Sequence, residues 1–204
     1  MSTKITIIGA GGHSKVVLDA LLQSDTSYEI FVLDSDTKKI GLTILDIPIG
    51  KLADLSDLDT EVFVAIGNNE CRERVSKELL QCGKQLATII HKNAVVAPST
   101  NIGEGTFVAA LAVVSAGASL GTGVIVNHRA IVDHDCGIGN YTHIAPHATL
   151  GGGVRVGERV LVGANATLLP STTIGTSSTV GAGSVVTTDV PDAITVVGNP
   201  AKIL

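Results

Sequence analysis

A chain of 204 residues is long enough for one large domain or two small ones, each with a real core. Its formal charge of −5 and pI near 5.6 argue against a grip on a nucleic-acid backbone, and no run reaches the roughly 18 apolar residues of a membrane helix. Three cysteines without framework spacing, and an opening Met-Ser-Thr-Lys without a leader, point to a reducing, cytoplasmic setting with no disulfides.

Residues 1–92 alternate as β-α-β. Lys4–Ile8 reads as an apolar strand, followed by Gly9-Ala10-Gly11-Gly12-His13-Ser14 and a helix over Lys15–Leu22. Glu29–Leu33 is a second strand ending at Asp34, and Glu61–Ile66 a third ending in Gly67-Asn68-Asn69. A charged helix over Glu70–Gln81 and a short strand over Gln85–Ile90 complete a small Rossmann-like unit. Its glycine loop suits phosphates at a helix N-terminus, and Asp34 suits a ribose hydroxyl. The loop lacks the third glycine of G-x-G-x-x-G, where Ser14 stands, and the unit is half the length a dinucleotide domain needs. A tight strand-to-helix turn is the alternative reading of the loop.

Residues 93–204 change period. With 2% aromatic residues, no Trp and 23 Gly, the core there has to be built from small and β-branched aliphatics. From Val96 an aliphatic residue recurs every six positions through Ile102, Val108 and Val114 to Val186, for 16 consecutive hits. The position four later is always Thr, Ala, Val, Cys or Ser. A six-residue period fits neither a helix nor a hairpin array, but it fits short strands joined by tight corners. Three hexads make one coil of a triangular prism, so 16 give a little over five coils, a stack roughly 25 Å tall.

Four histidines fall in one stretch: His128, His134, His143 and His147. The 18-residue coil places Asp133-His134-Asp135 between Ser115-Ala116-Gly117 and Gly151-Gly152-Gly153. A histidine between side chains this small faces a groove, here one suited to a narrow ligand such as a pantetheine arm along Gly152. As third residue of its hexad His134 points outward, and its acidic neighbours favour the imidazolium and raise its basicity. Such a base suits an amine attacking a thioester. His143, one and a half prism sides further on, lies away from His134 within one chain. Asn127 is either an active-site residue or a corner residue accepting left-handed dihedrals. His128 and His147 read as surface or interface residues, Cys136 as core, and Cys71 and Cys82 as structural.

The order Gly-Ala-Gly-Gly-His, Ala-Ile-Gly-Asn-Asn, hexapeptide repeats and a terminal Gly-Asn-Pro-Ala-Lys resembles one group of bacterial hexapeptide-repeat transferases. These are the N-acetyltransferases of UDP-4-amino-4,6-dideoxy sugars in glycan biosynthesis, together with the sialic acid O-acetyltransferases. The resemblance implies an α/β Rossmann-like domain followed by an all-β left-handed parallel β-helix, the handedness coming from it alone. It implies acetyl-CoA as co-substrate and a homotrimer with active sites between subunits. Carried over residue by residue, it makes His134 the general base with Asp135 tuning it and Asn127 beside them. Gly11, Gly12, His13, Asp34 and Gly67 become contacts to the nucleotide-sugar, and His143, Gly163, Ala164 and Ala182 contacts to acetyl-CoA. O-acetylation of a sialic acid is the rival within the enzyme class. A zinc hydratase on the same prism would need three converging ligands, and His134, His143 and His147 do not stack. A non-catalytic nucleotide-sugar-binding protein is the third reading.

Overall fold

The computed structural model describes residues 2–52, 55, 58 and 60–204. The N-terminal unit comprises β1 (Thr3–Ile8), α1 (Gly12–Leu22), β2 (Tyr28–Asp34), β3 (Thr43–Ile44), β4 (Ile47–Lys51), β5 (Glu61–Val64) and α2 (Asn69–Gln81). The sheet order is β3-β4-β2-β1-β5, parallel except for the β3–β4 hairpin. Sequence reasoning missed that hairpin. Its turn, Leu45-Asp46, has φ of 47° and 63°, and a leucine at φ > 0 gives none of the Asn-Gly signal that marks such turns.

The helix α1 begins at Gly12, three residues before the expected Lys15. Gly11 caps it in an extended conformation, and its N–H donates to Ser14 Oγ at 3.2 Å. The expected strand Gln85–Ile90 is divided. Leu86 bridges to Val62 on the edge of the N-terminal sheet, while Ile89–Ile90 pairs with Phe107–Val108 as the first rung of the prism.

The prism is a left-handed β-helix with three parallel faces. The first face carries Ile89–Ile90, Phe107–Val108, Ile125–Val126, His143–Ile144, Leu161–Val162, Thr179–Val180 and Thr195–Val197, closed by the antiparallel Lys202–Ile203. The second runs from Val95–Val96 to Val185–Val186 and the third from Asn101–Ile102 to Thr173–Ile174. Pairing such as Ile125↔His143↔Leu161 shows the 18-residue coil directly. The hexad aliphatics Val108, Val126, Ile144 and Val162 point inward and are fully buried, as are the small residues Ala112, Ala130, Cys136 and Ala148. Each buried Val or Ile contributes about 1.5–3 kcal/mol, but no coil closes its core alone, so stacking is what stabilises it.

The N-terminal unit is seated on the first face. Ile5, Ile7, Val17, Leu18 and Phe63 share one core with Phe107, Ala109 and Ile125 from the prism. Polar bonds fix the seat. Arg72 of α2 is 1% exposed; its guanidinium donates to the prism carbonyls of Gly123 (2.8 Å) and Tyr141 (2.7 Å). Within its own unit it donates to the carbonyls of Ile66 and Gly67 and to Asn69 Oδ1. Asn69 Nδ2 donates to the carbonyls of Arg159 and Val160, and Arg159 pairs with Glu73.

Candidate functional site

His134 stands on the corner between the second and third faces, its side chain 62% exposed. The ring lies against Gly152 in the next coil, and a Cβ there would collide with the imidazole. Small residues thus leave room for this ring. His134 Nδ1 is 2.9 Å from Asp135 Oδ2. A carboxylate only accepts, so Nδ1 carries the proton and Nε2 presents its lone pair over Gly152. The hydrogen bond to Asp135, and then the charge of Asp133, raise the His134 pKa above its ordinary value.

The glycine loop opens on a cavity of about 540 Å³ lined by Gly9 to His13, Asp34, Lys39, Ile66, Gly67 and Arg74, among others. A Cβ at Gly11 or Gly12 would meet nothing within 4 Å. The chain's own packing does not require glycine there, so what those positions provide is open backbone at a helix N-terminus. The first turn of α1 has no acidic residue to repel a phosphate. Ser14, where a third glycine was missing, is fully buried; its hydroxyl donates to the Gly9 carbonyl and accepts from the Gly11 N–H. It ties the loop into one shape.

Asp34 has a heavier structural duty than the sequence suggested. Its carboxylate accepts from the amides of Ala10 (2.7 Å) and Asp36 (2.8 Å) and from Lys39 Nζ (3.0 Å). Burial works against its charge, yet the Asp36, Lys39 and Ala10 bonds together hold the carboxyl below its usual range.

Between cavity and prism lies a cluster the sequence did not assemble. His13 stands with its ring 6.3 Å from His143 and edge-on to Phe107 at 5.6 Å. His143 Nε2 meets Asn127 Nδ2 at 3.1 Å, and Asn127 Oδ1 accepts from the His128 N–H. Burial, then the neighbouring His143 and Arg72, push His13 down to about 3; burial and Arg72 push His143 down to about 4. Both imidazoles are neutral near pH 7. His13 Nε2 is the one buried side-chain nitrogen or oxygen without a partner among the described residues.

The corner reading of Asn127 is overturned. The left-handed residue of that corner is Arg129, with φ 56°, and Asn127 is instead buried against His143. Asn127 and His143 belong to the first face and the corner after it, away from His134. Gly163, Ala164 and Ala182 lie on that same first corner, where a Cβ at Gly163 would meet the Ala182 amide. Gly67 lies at the cavity mouth, its carbonyl held by Arg72.

Sequence reasoning also missed Arg72, Lys39 and Arg74. Arg72 shares the buried stripe of α2 with Ser76 and Leu79, so its place at a core-facing position was the signal.

Residues 4–79 match the family model of the PglD N-terminal domain, and residues 153–188 that of the hexapeptide repeat of succinyl-transferase. The UDP-N-acetylbacillosamine N-acetyltransferase of Bacillus subtilis is 38% identical over 111 residues, 52% of this chain and 51% of that protein. That match spans about half the length of the curated relative. The acetyltransferase domain of PglB from Neisseria gonorrhoeae is 42% identical with a TM-score of 0.95, and the match covers 100% of each chain. PerB from Caulobacter crescentus, solved with CoA and GDP-perosamine, is 38% identical with a TM-score of 0.92, covering 98% of this chain and 97% of that one. A small α/β unit seated on a hexapeptide prism, in a chain this similar to sugar acetyltransferases, places the protein among the β-helix acyltransferases. Within that class, the chain belongs to the PglD-like sugar N-acetyltransferase family, to which these relatives belong.

Proposed function

We propose that the protein transfers the acetyl group of acetyl-CoA to the 4-amino group of a UDP-linked 4-amino-4,6-dideoxy sugar, with His134 as general base. The observation that carries this is the His134–Asp135 pair, its Nε2 lone pair held over the bare backbone of Gly152. The amine nitrogen attacks the thioester carbonyl, a C–N bond forms and the C–S bond breaks. His134 Nε2 takes the amine proton and can return it to the leaving thiolate. Backbone amides at the glycine corners stabilise the oxyanion.

The glycine cavity takes the nucleotide. Its open α1 N-terminus suits the diphosphate, with Lys39 and Arg74 as flanking cations. Gly11, Gly12, His13, Asp34 and Gly67 line that site, and His13 leads from it toward His143 and Asn127.

Acetyl-CoA takes the first corner, along His143, Gly163, Ala164 and Ala182, with Gly152 at the second corner. His134 is on the second corner of the same chain, so an acyl group at the first meets a base only from another copy. The second face lies between those corners and exposes Val95 (62%) and Ile131 (37%). Turning it to a three-fold axis sets one chain's first corner beside its neighbour's second. A homotrimer with shared sites follows, and a cytoplasmic location fits a chain with three free cysteines. Among the described residues no helix is long and apolar enough to cross a membrane.

The test is a panel of UDP-, GDP-, dTDP- and CMP-linked amino sugars and sialic acids with acetyl-CoA, read as free thiol and product mass. Thiol release with N-acetylation of the UDP-linked 4-amino sugar is expected. Release only with a sialic acid hydroxyl, or with none of the panel, contradicts the proposal.

A further inference from the structure

We propose that Arg155 is a positioning residue for the His134–Asp135 pair, acting through the backbone of Asp135 over a space left open by Gly137. This rests on the reading of His134 as the base. Gly137 and Arg155 are register partners on the third face. A Cβ at Gly137 would stand 2.8 Å from Arg155 Nη1 and 3.3 Å from its Cδ. The arginine therefore lies flat across the missing side chain. Gly137 is not in the left-handed region, so its φ does not require glycine; what a side chain there would do is push the flexible end of Arg155 off its position.

The guanidinium reaches the corner that carries the base, where Nη1 donates to the Asp135 carbonyl at 2.9 Å. That is the single hydrogen bond of the Arg155 side chain among the described residues. Asp135 sits at φ 59°, the left-handed corner conformation that Asp tolerates, and the orientation of its backbone sets where its carboxylate points. Other bonds already fix the neighbouring peptides: the Asp135 amide donates to the Ala116 carbonyl at 3.0 Å, and the His134 carbonyl accepts from Gly153 at 2.9 Å. The Asp135 carbonyl is left to Arg155. With both sides of the Asp135 backbone tied, its carboxylate is aimed at His134 Nδ1. Around His134 the titratable groups are Asp133 and Asp135 on its own corner and Arg155 on the next coil. The packed corners Ser115–Gly117 and Gly151–Gly153 carry none.

The test is the titration of the His134 imidazole by NMR in the intact protein, alongside the pH dependence of kcat/KM. Arg155→Lys keeps the charge and loses the fixed fork, and Gly137→Ala occupies the space beneath it. Each variant is expected to move the His134 midpoint down toward 6.5 by about half a pH unit, because a looser Asp135 bonds the imidazolium less well. The acidic limb of kcat/KM should follow, and kcat should fall about 10-fold as the base is misplaced. Unfolding midpoints should not change for Arg155→Lys, whose side chain is exposed. An unchanged His134 midpoint in Arg155→Lys overturns the assignment, and if Gly137→Ala does not fold the lysine variant decides alone. The His134 titration is read without turnover. Failure of the base reading would show separately, as normal turnover in His134→Ala.

Discussion

The imidazole of His13, on the helix that opens the glycine-loop cavity, stands 6.3 Å from that of His143 on the prism, the two rings tilted by 45°. They meet across the seam between the two units, with Arg72 nearby and no acid among the groups acting on either ring. Two neutral imidazoles therefore meet where the N-terminal unit sits on the prism, and of the two His13 lines the cavity.

Acid stability follows from that pair. Their folded values, about 3 and about 4, lie below the unfolded value near 6.5. Below pH 6.5 the unfolded chain binds protons that the folded chain refuses, so stability falls as pH drops from 6.5 toward 4. At pH 5 the loss is about 2 kcal/mol for each histidine, and His91, shifted the same way by burial, adds to the slope. Urea midpoints between pH 7 and pH 5 should fall, and His13→Asn should flatten the curve. A profile flat from pH 7 to 5 would count against neutral, buried rings.

Arg72→Met should unseat the N-terminal unit. It leaves the carbonyls of Gly123, Tyr141 and Ile66 buried without their donor, at a cost of about 3–5 kcal/mol. Denaturant unfolding measures this. Any folded remainder should show a raised KM for the nucleotide-sugar, because Gly67 loses its anchor.

Asp135→Asn should change the pH profile rather than the fold. The carboxylate raises the His134 pKa, and the base works when deprotonated, so activity rises with pH through that value. Removing the charge moves the acidic limb of kcat/KM to lower pH and lowers kcat, as a weaker base would. A limb that stays in place would show that His134 is not the group being titrated.

Gly152→Ala should act on the His134 ring. The added methyl occupies the position of the imidazole, so the ring must turn away from its bond to Asp135. About a 100-fold loss in kcat is expected from that displacement, with the thermal midpoint changed little, since Gly152 does not need a left-handed φ. Full activity would mean that the ring is free to move without consequence.

The prism was legible because its code is local. An aliphatic every six residues and a small residue four later, as at Val126 and Ala130, determine inside and outside without any long-range knowledge. His134 was legible for the same reason, since an 18-residue offset places Gly152 against it by counting alone. What counting cannot reach is the contact between units. Arg72 and Gly123 are 51 residues apart, and nothing periodic links them. Asn127 looked like a corner residue because asparagine tolerates left-handed dihedrals, whereas Arg129 takes that strain and Asn127 turns to His143. The β3–β4 hairpin escaped because Leu45 and Asp46 occupy a turn that glycine usually marks.

The central claim is that His134 removes the proton from the acceptor amine. The direct measurement is steady-state acetyl transfer from acetyl-CoA to the UDP-linked 4-amino sugar by the wild type and by His134→Ala, each confirmed as folded. A fall in kcat of about 100-fold or more is predicted, the scale of a lost general base. Turnover by His134→Ala close to that of the wild type would contradict it.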